Sequence, residues 1–80
     1  MAPVADELRR VLGSVFLRDI RQLEPERKGF LVGEDLRIYE EKEGYTLRFL
    51  KGTSEQTRAQ YRRKLEQGAI RFKVGADYTL

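Results

Sequence analysis

Two neighbouring segments in the middle of the chain alternate apolar and polar residues, and a short glycine-ended loop separates them. The segments are residues 36–41 and 45–51, and the loop is Lys42-Glu43-Gly44. Strict alternation is the pattern of a strand with one buried face, and a loop of three residues with a final glycine is typical of a hairpin turn. The sequence therefore predicts a β-hairpin in which Tyr39 lies opposite or close to Thr46.

The alternation also divides the hairpin side chains between two faces. Those predicted to face inward are Leu36, Ile38, Tyr45, Leu47 and Phe49. Those predicted to face outward are Arg37, Tyr39, Glu41, Thr46, Arg48 and Leu50. Within this outward row we take Arg37, Tyr39, Arg48 and Leu50 as a candidate contact surface on the sheet.

Three interpretations of this surface stay open. Basic side chains that hold phosphates, beside an aromatic ring on which a base can stack, suit single-stranded nucleic acid. Tyrosine, leucine and arginine are also common anchors in protein interfaces. The third interpretation is a solvated face on which the arginines pair across strands with Glu41 and Thr46.

A second helix is predicted after the hairpin. Thr53 and Gln56 have the spacing of a capping box, which satisfies the first free amides of a helix. The helix is expected to run to about Gln67, with Gly68 as its C-terminal cap. Its apolar side is thin, so we expect it at the edge of the domain.

Two further strands are predicted on either side of these elements. Residues 30–32 form a short apolar run between glycines, and residues 69–74 alternate Ile70, Phe72 and Val74 with basic residues. The chain from about residue 75 onward is expected to be a loop or a flexible tail.

The N-terminal segment allows two interpretations. Apolar residues recur at intervals of three and four between Pro3 and Leu23, which favours one amphipathic helix over residues 3–23. Leu17 would then face away from the apolar stripe. The alternative ends the helix at Leu12 with Gly13 as a left-handed cap, and makes residues 15–20 a strand.

Together these elements predict one α+β domain over residues 1–80, because a chain of this length builds one core. The predicted order is α-β-β-β-α-β, with a mainly antiparallel sheet and both helices packed on one face. The opening order of helix, three strands and helix resembles in outline the double-stranded RNA-binding domain. Residues 53–58 lack the lysine-rich helix start of that family, and the fourth strand is additional. The resemblance implies only that nucleic acid belongs among the candidate partners.

Missing residue types make an enzyme an unfavourable interpretation. The chain has neither His nor Cys, which removes the usual general base near neutral pH, the cysteine nucleophile and the commonest zinc ligands. The glycines match no nucleotide-binding fingerprint, and the acidic residues match no calcium loop. Asp19 falls on the helical stripe, where it is either a buried carboxylate with a raised pKa or the partner of a nearby arginine. We expect no catalytic residue, metal or cofactor.

Composition also bears on location and source. No cationic start followed by an apolar run marks a signal peptide, and no segment is apolar enough to span a bilayer. We therefore expect a cytoplasmic protein without a membrane role. The chain is rich in Arg and Glu and has no Asn, which is a composition found in thermophilic proteins.

Positive charge concentrates late in the chain. From residue 52 onward six cations face three anions, and the excess equals the net charge of +3 for the whole chain. The cations are Arg58, Arg62, Arg63, Lys64, Arg71 and Lys73. Such a cluster is a candidate basic patch for phosphate groups. At helical spacing, however, Glu55 could neutralise Arg58, and Glu66 could neutralise Arg62.

The sequence therefore predicts a small non-enzymatic binding or regulatory module. The first hypothesis is that its basic second helix and following strand contact nucleic acid or another polyanion. The alternative is a protein-interaction or assembly subunit, either a homodimer or a component of a larger complex, with no nucleic-acid role.

Overall fold

A five-stranded sheet forms the centre of the computed structural model, which describes residues 4–13 and 15–80. The strands are β1 (Leu17–Asp19), β2 (Gly29–Val32), β3 (Leu36–Glu41), β4 (Gly44–Phe49) and β5 (Phe72–Val74). Helix α1 (Val4–Leu12) precedes the sheet, helix α2 (Glu55–Gln67) joins β4 to β5, and a single 3₁₀ turn (Ile20–Gln22) follows β1. The strands lie in chain order, antiparallel except for β5, which runs parallel to β4. This confirms the predicted α+β fold with a mainly antiparallel sheet.

Both helices contribute to the apolar core on one face of the sheet. Leu8 and Leu12 of α1 and Leu65 of α2 are fully or almost fully buried against this face. The strand residues of this core are Val32, Leu36, Ile38, Leu47 and Phe49, all predicted to be apolar strand positions. A second, smaller cluster on the opposite face consists of Ile20, Leu31 and Tyr39. No helix in the described part of the chain has the length and apolar character needed to span a membrane.

The preferred prediction of one helix over residues 3–23 is wrong, and the alternative is correct in outline. The helix ends at Leu12, and Gly13 has a φ of +81°, a left-handed conformation that glycine adopts without steric cost. Leu17 then enters β1 opposite Val32 and packs on the main core, which a helix would have prevented. The predicted helix start at Pro3 lies outside the described residues.

The hairpin forms as predicted, with Tyr39 directly opposite Thr46. Its turn is one residue shorter than expected, because Gly44 already pairs with Glu41 as the first residue of β4. Gly44 has a φ of +145°, and a Cβ atom there would collide with the carbonyl oxygen of Arg71. The absence of a side chain at Gly44 therefore permits the close approach of β5 to β4 as well as the turn.

Helix α2 ends at Gln67 with Gly68 as its C-terminal cap, as predicted, but its N-cap differs from the predicted one. Ser54 is the N-cap, and its hydroxyl accepts a hydrogen bond of 3.1 Å from the amide of Thr57. Thr53 instead donates its hydroxyl to the carbonyl of Leu50 at 2.7 Å. Gly68 caps the C-terminus without a left-handed backbone, and Ala69 takes the positive φ of 58°.

The segment after β5 is attached to the sheet rather than loose. Tyr78 is buried and forms a parallel bridge with Leu50. Its amide donates to the carbonyl of Phe49 at 2.9 Å, and its carbonyl accepts from the amide of Lys51 at 2.8 Å. Strand β5 itself is shorter than predicted, since only Phe72–Val74 pair with β4.

Candidate interaction surfaces

Arg58, the first of the late cations, is committed to a structural ion pair. Its guanidinium nitrogens lie 2.8 and 3.0 Å from the two carboxylate oxygens of Asp77. Its Nε also donates to the carbonyl of Thr53 at 2.8 Å, and the guanidinium covers the ring of Phe49. The expected neutralising partner was Glu55, so the prediction named the wrong carboxylate. Arg58 is therefore a poor candidate for anion binding.

The remaining late cations divide between two sides of the molecule. Arg62, Arg63 and Lys64 lie on α2, which packs on the core face of the sheet. Lys73 pairs with Thr46, whose neighbour across the hairpin is Tyr39, so Lys73 lies on the opposite face. Arg71 precedes it by two residues and shares that side. The predicted basic patch is thus not one continuous surface.

Most of these cations are nevertheless available. Within residues 4–13 and 15–80, no ion pair involves Arg62, Arg63, Arg71 or Lys73. The expected pairing of Arg62 with Glu66 is absent from that part of the chain. In the same described ranges, the ammonium group of Lys64 makes only one long contact, of 3.5 Å, with the carbonyl of Leu12.

Tyr39 on the sheet face is not an accessible stacking platform. Its side chain is only 1% exposed, and its hydroxyl donates to a carboxylate oxygen of Glu24 at 2.6 Å. The guanidinium of Arg27 lies 4.0 Å from the ring centroid and covers the ring. The segment after β1 folds back over this face, which the pattern of the hairpin alone could not reveal. Tyr39 therefore offers little accessible ring surface for the contact role predicted for it.

The other predicted sheet-face residues hold the chain's own segments. Arg37 donates to Glu24 at 2.9 Å and lies over the ring of Tyr78 at 4.0 Å. Arg48 donates to the carbonyl of Ala76 at 2.9 Å. Leu50 is half-buried in its bridge to Tyr78. These side chains fasten the connector after β1 and the C-terminal segment, and they leave little open sheet between them.

Exposed apolar side chains gather at one corner of the sheet. Leu23 and Leu80 line a depression of about 150 Å³ with the buried Leu31 at its base. Leu23 is 57% exposed and Leu80 is 100% exposed. The backbone of Phe16 adjoins this depression, because its carbonyl accepts a hydrogen bond from the amide of Gly33, which lines it, and Phe16 is 68% exposed. We call Phe16, Leu23, Leu31 and Leu80 the apolar corner.

Both signs of charge border the apolar corner. Arg18 of β1 and Glu34 of the β2–β3 turn line the same depression, and both are exposed. Neither forms an ion pair within the described residues. Arg37 also lines the depression, but Glu24 already neutralises it.

A larger groove lies between the hairpin turn and the start of β5. Its volume is about 530 Å³, and its walls are the hairpin turn and the residues entering β5. Tyr45 and Phe72 provide aromatic surface, while Arg71 and Lys73 provide positive charge. Val74, the next residue of the strand, is 46% exposed.

The perturbed titratable groups have structural causes. Asp19 caps the 3₁₀ turn and pairs with Arg21 at 2.6 Å, and this hydrogen bonding lowers its pKa to about 2. The ion-pair interpretation of Asp19 is therefore correct, and the buried-acid interpretation is wrong. Burial, with the nearby carboxylate of Glu7, raises the pKa of Tyr45 to about 12. Among residues 4–13 and 15–80, no three acidic side chains cluster as metal ligands.

Comparison with protein-family models, with curated proteins and with solved structures gave no match.

Sequence reasoning missed the exposed apolar residues for a specific reason. Phe16 and Leu23 were counted in the stripe of a long helix, where they would have been buried. Gly13 and the misplaced Leu17 were the signals that the helix stops early. Val74 continues the apolar alternation of the predicted last strand, and it is exposed because β5 lies at the edge of the sheet.

Proposed function

We propose that the protein is a small non-enzymatic assembly module, which binds a second copy of its own chain through the apolar corner. The observation that carries this proposal is that Leu23 and Leu80 line one depression, beside which the backbone of the exposed Phe16 is bonded to Gly33. Phe16, Leu23 and Leu80 are three of the four large apolar side chains that the described residues expose. Single exposed apolar residues are ordinary, whereas a contiguous group of them is typical of a protein interface.

The charges around the corner favour a second copy as the partner. A twofold interface uses the same surface on both subunits, so a surface that offers both signs of charge can complement itself. Arg18 of one subunit and the partner's Glu34 are suited to such a pair. A domain of 80 residues also buries a limited core, so association would add stability.

A polyanion is a less well supported partner. The cations of α2 and those next to β5 lie on opposite sides of the sheet. Tyr39 is buried, so stacking of a base on the sheet face lacks its aromatic platform. The absence of ion pairs at Arg62 and Arg63, among the residues described, is the one observation that favours this candidate.

Sedimentation equilibrium tests the proposed assembly. At about 100 μM, a concentration that populates any dimer with a micromolar Kd, we expect the mass of two chains. Phe16→Ser with Leu23→Ser should yield a folded monomer, because both side chains lie in the interface. Val74→Ser, at the far edge of the sheet, is the matched control and should leave the dimer intact. A single-chain mass for the unaltered, folded protein would refute the proposal.

A further inference from the structure

We propose that the free edge of β5 accepts an extended segment of another protein, in which acidic and apolar residues alternate. Among the residues that the structure describes, strand β5 is the last strand of the sheet and pairs only with β4. The carbonyl of Arg71 accepts from Tyr45, and the amide of Gly75 donates to Leu47. Because backbone groups alternate in direction along a strand, those of Phe72 and Val74 point away from β4. They form the unpaired edge to which a further strand can bond.

The side chains of β5 specify the alternation. Phe72 packs against the main core, and Val74 lies on the same side of the strand with 46% of its surface exposed. Arg71 and Lys73 lie on the other side, both exposed. A strand added to this edge would place every second side chain beside Phe72 and Val74, and the intervening ones beside the two cations. Apolar residues suit the first set of positions, and acidic residues suit the second.

The same charges disfavour a second copy at this edge. If two β5 strands paired about a twofold axis in the central register, Lys73 would face the partner's Lys73. In one neighbouring register Lys73 would face the partner's Arg71. Like charges directly opposite one another destabilise a strand pair, and lysine on an edge strand is a common protection against self-pairing. A partner that supplies carboxylates removes this repulsion.

The groove between the hairpin turn and the start of β5 adjoins one end of this edge and limits how far an acidic segment can extend. Its volume of about 530 Å³ reaches from β5 to the hairpin turn. Glu41 and Glu43 line its far end beside Lys42. An acidic position of the partner is therefore favoured next to Lys73 and Arg71, and is disfavoured beyond the turn.

This inference is independent of the assembly proposed above. The apolar corner adjoins β1, which is at the opposite end of the strand order from β5. Loss of peptide binding with an intact dimer would refute only the β5 proposal, whereas a monomer that still binds the peptide would refute only the assembly.

Peptide binding to the full chain tests the inference. The probe is a fluorescently labelled, acetylated and amidated peptide Glu-Val-Glu-Val-Glu, measured by anisotropy. We expect it to bind at least about tenfold more tightly than Glu-Glu-Glu-Val-Val, which has the same charge but cannot present alternating side chains. Amide shifts in the NMR spectrum should centre on β5. Equal affinity for both peptides, or shifts centred elsewhere, would overturn the proposal.

A charge exchange provides the matched variants. Arg71→Glu with Lys73→Glu should weaken binding of the acidic peptide by about tenfold or more, and should favour Lys-Val-Lys-Val-Lys instead. Arg62→Glu with Arg63→Glu changes the net charge equally but lies on α2, and should change the affinity by less than about twofold at physiological salt. If both pairs of reversals weakened binding equally, the peptide would be responding to net charge and the proposed site would be wrong.

Discussion

Arg58 and Asp77 form a two-point ion pair that holds the C-terminal segment against the start of α2. The pair lies next to the bridge between Leu50 and Tyr78, so it closes the segment over the end of β4. Hydrogen bonding to Arg58 lowers the pKa of Asp77 below its ordinary value of 3.8. The same contact raises the pKa of Arg58. The pair therefore links attachment of this segment to pH.

Acid should release the C-terminal segment before the domain unfolds. Because the pKa of Asp77 is lower in the folded state, the pair contributes its full stability above the unfolded value. That stability is lost as pH falls through the folded pKa. We expect amide-exchange protection of Lys51 and Tyr78, whose amides bridge this segment and β4, to fall below about pH 4. Asp77→Asn should show reduced protection that no longer changes with pH in that range.

The control for this prediction is Asp6→Asn. Asp6 pairs with Arg9 on the exposed side of α1 at 3.4 Å, far along the chain from the C-terminal segment. This substitution should leave the acid dependence of both amides unchanged. If the Asp77→Asn protein lost protection with the same pH profile as the unaltered protein, another carboxylate would control the segment.

Gly44→Ala should destabilise the domain strongly, because its new Cβ would collide with the carbonyl of Arg71 and separate β5 from β4. The matched control is Gly52→Ala. Gly52 also has a positive φ, +94°, but nothing lies within 4 Å of the added atom. Both variants carry backbone strain, and only the first carries the collision. We expect chemical denaturation to show a loss larger for Gly44→Ala by about 2 kcal/mol. Equal losses would mean that β5 adjusts without cost.

Local patterns predicted the centre of the fold well. The hairpin face of Leu36, Ile38, Leu47 and Phe49 is buried as expected, because alternation and a glycine turn specify the same register. The N-terminal segment was harder, because the spacing of apolar residues suited both a long helix and a helix followed by a strand. Pairing of Leu17 with Val32 decides between them, and such a distant contact cannot be read from spacing.

Ser54→Ala should cost about 1 kcal/mol of unfolding free energy, because Ser54 is the residue that caps α2. Gln56→Ala should change the stability by no more than about 0.5 kcal/mol, because the capping box predicted from Thr53 and Gln56 is absent. Thermal denaturation of the two variants compares these effects directly. A larger loss of stability for Gln56→Ala than for Ser54→Ala would show that the predicted capping box of Thr53 and Gln56 does form.

The candidate surfaces were predicted less well than the fold. The sequence identified the cations, but their partners come from distant segments: Asp77 for Arg58, and Glu24 for Arg37. It also placed Tyr39 correctly on the outer face, yet could not show that Arg27 and Glu24 fold over it. Loops can cover a residue that the strand pattern places on the outer face. The path of a loop produces no periodic pattern in the sequence, so such coverage could not be predicted.

Reversal of Arg62 and Arg63 tests the remaining nucleic-acid hypothesis. If both guanidinium groups held phosphates, Arg62→Glu with Arg63→Glu would reduce the slope of log affinity against log salt by about 1.8 on duplex DNA. We expect no such change, because the cations beside β5 lie on the other side of the sheet and cannot complete one surface.

On a heparin column, retention of the Arg62→Glu, Arg63→Glu protein should fall only as far as retention of a Lys42→Glu, Lys51→Glu protein. These two exposed lysines lie in turns and give the same change in net charge. A distinctly larger fall for the α2 reversal, together with the lower slope, would instead establish α2 as a phosphate-binding surface.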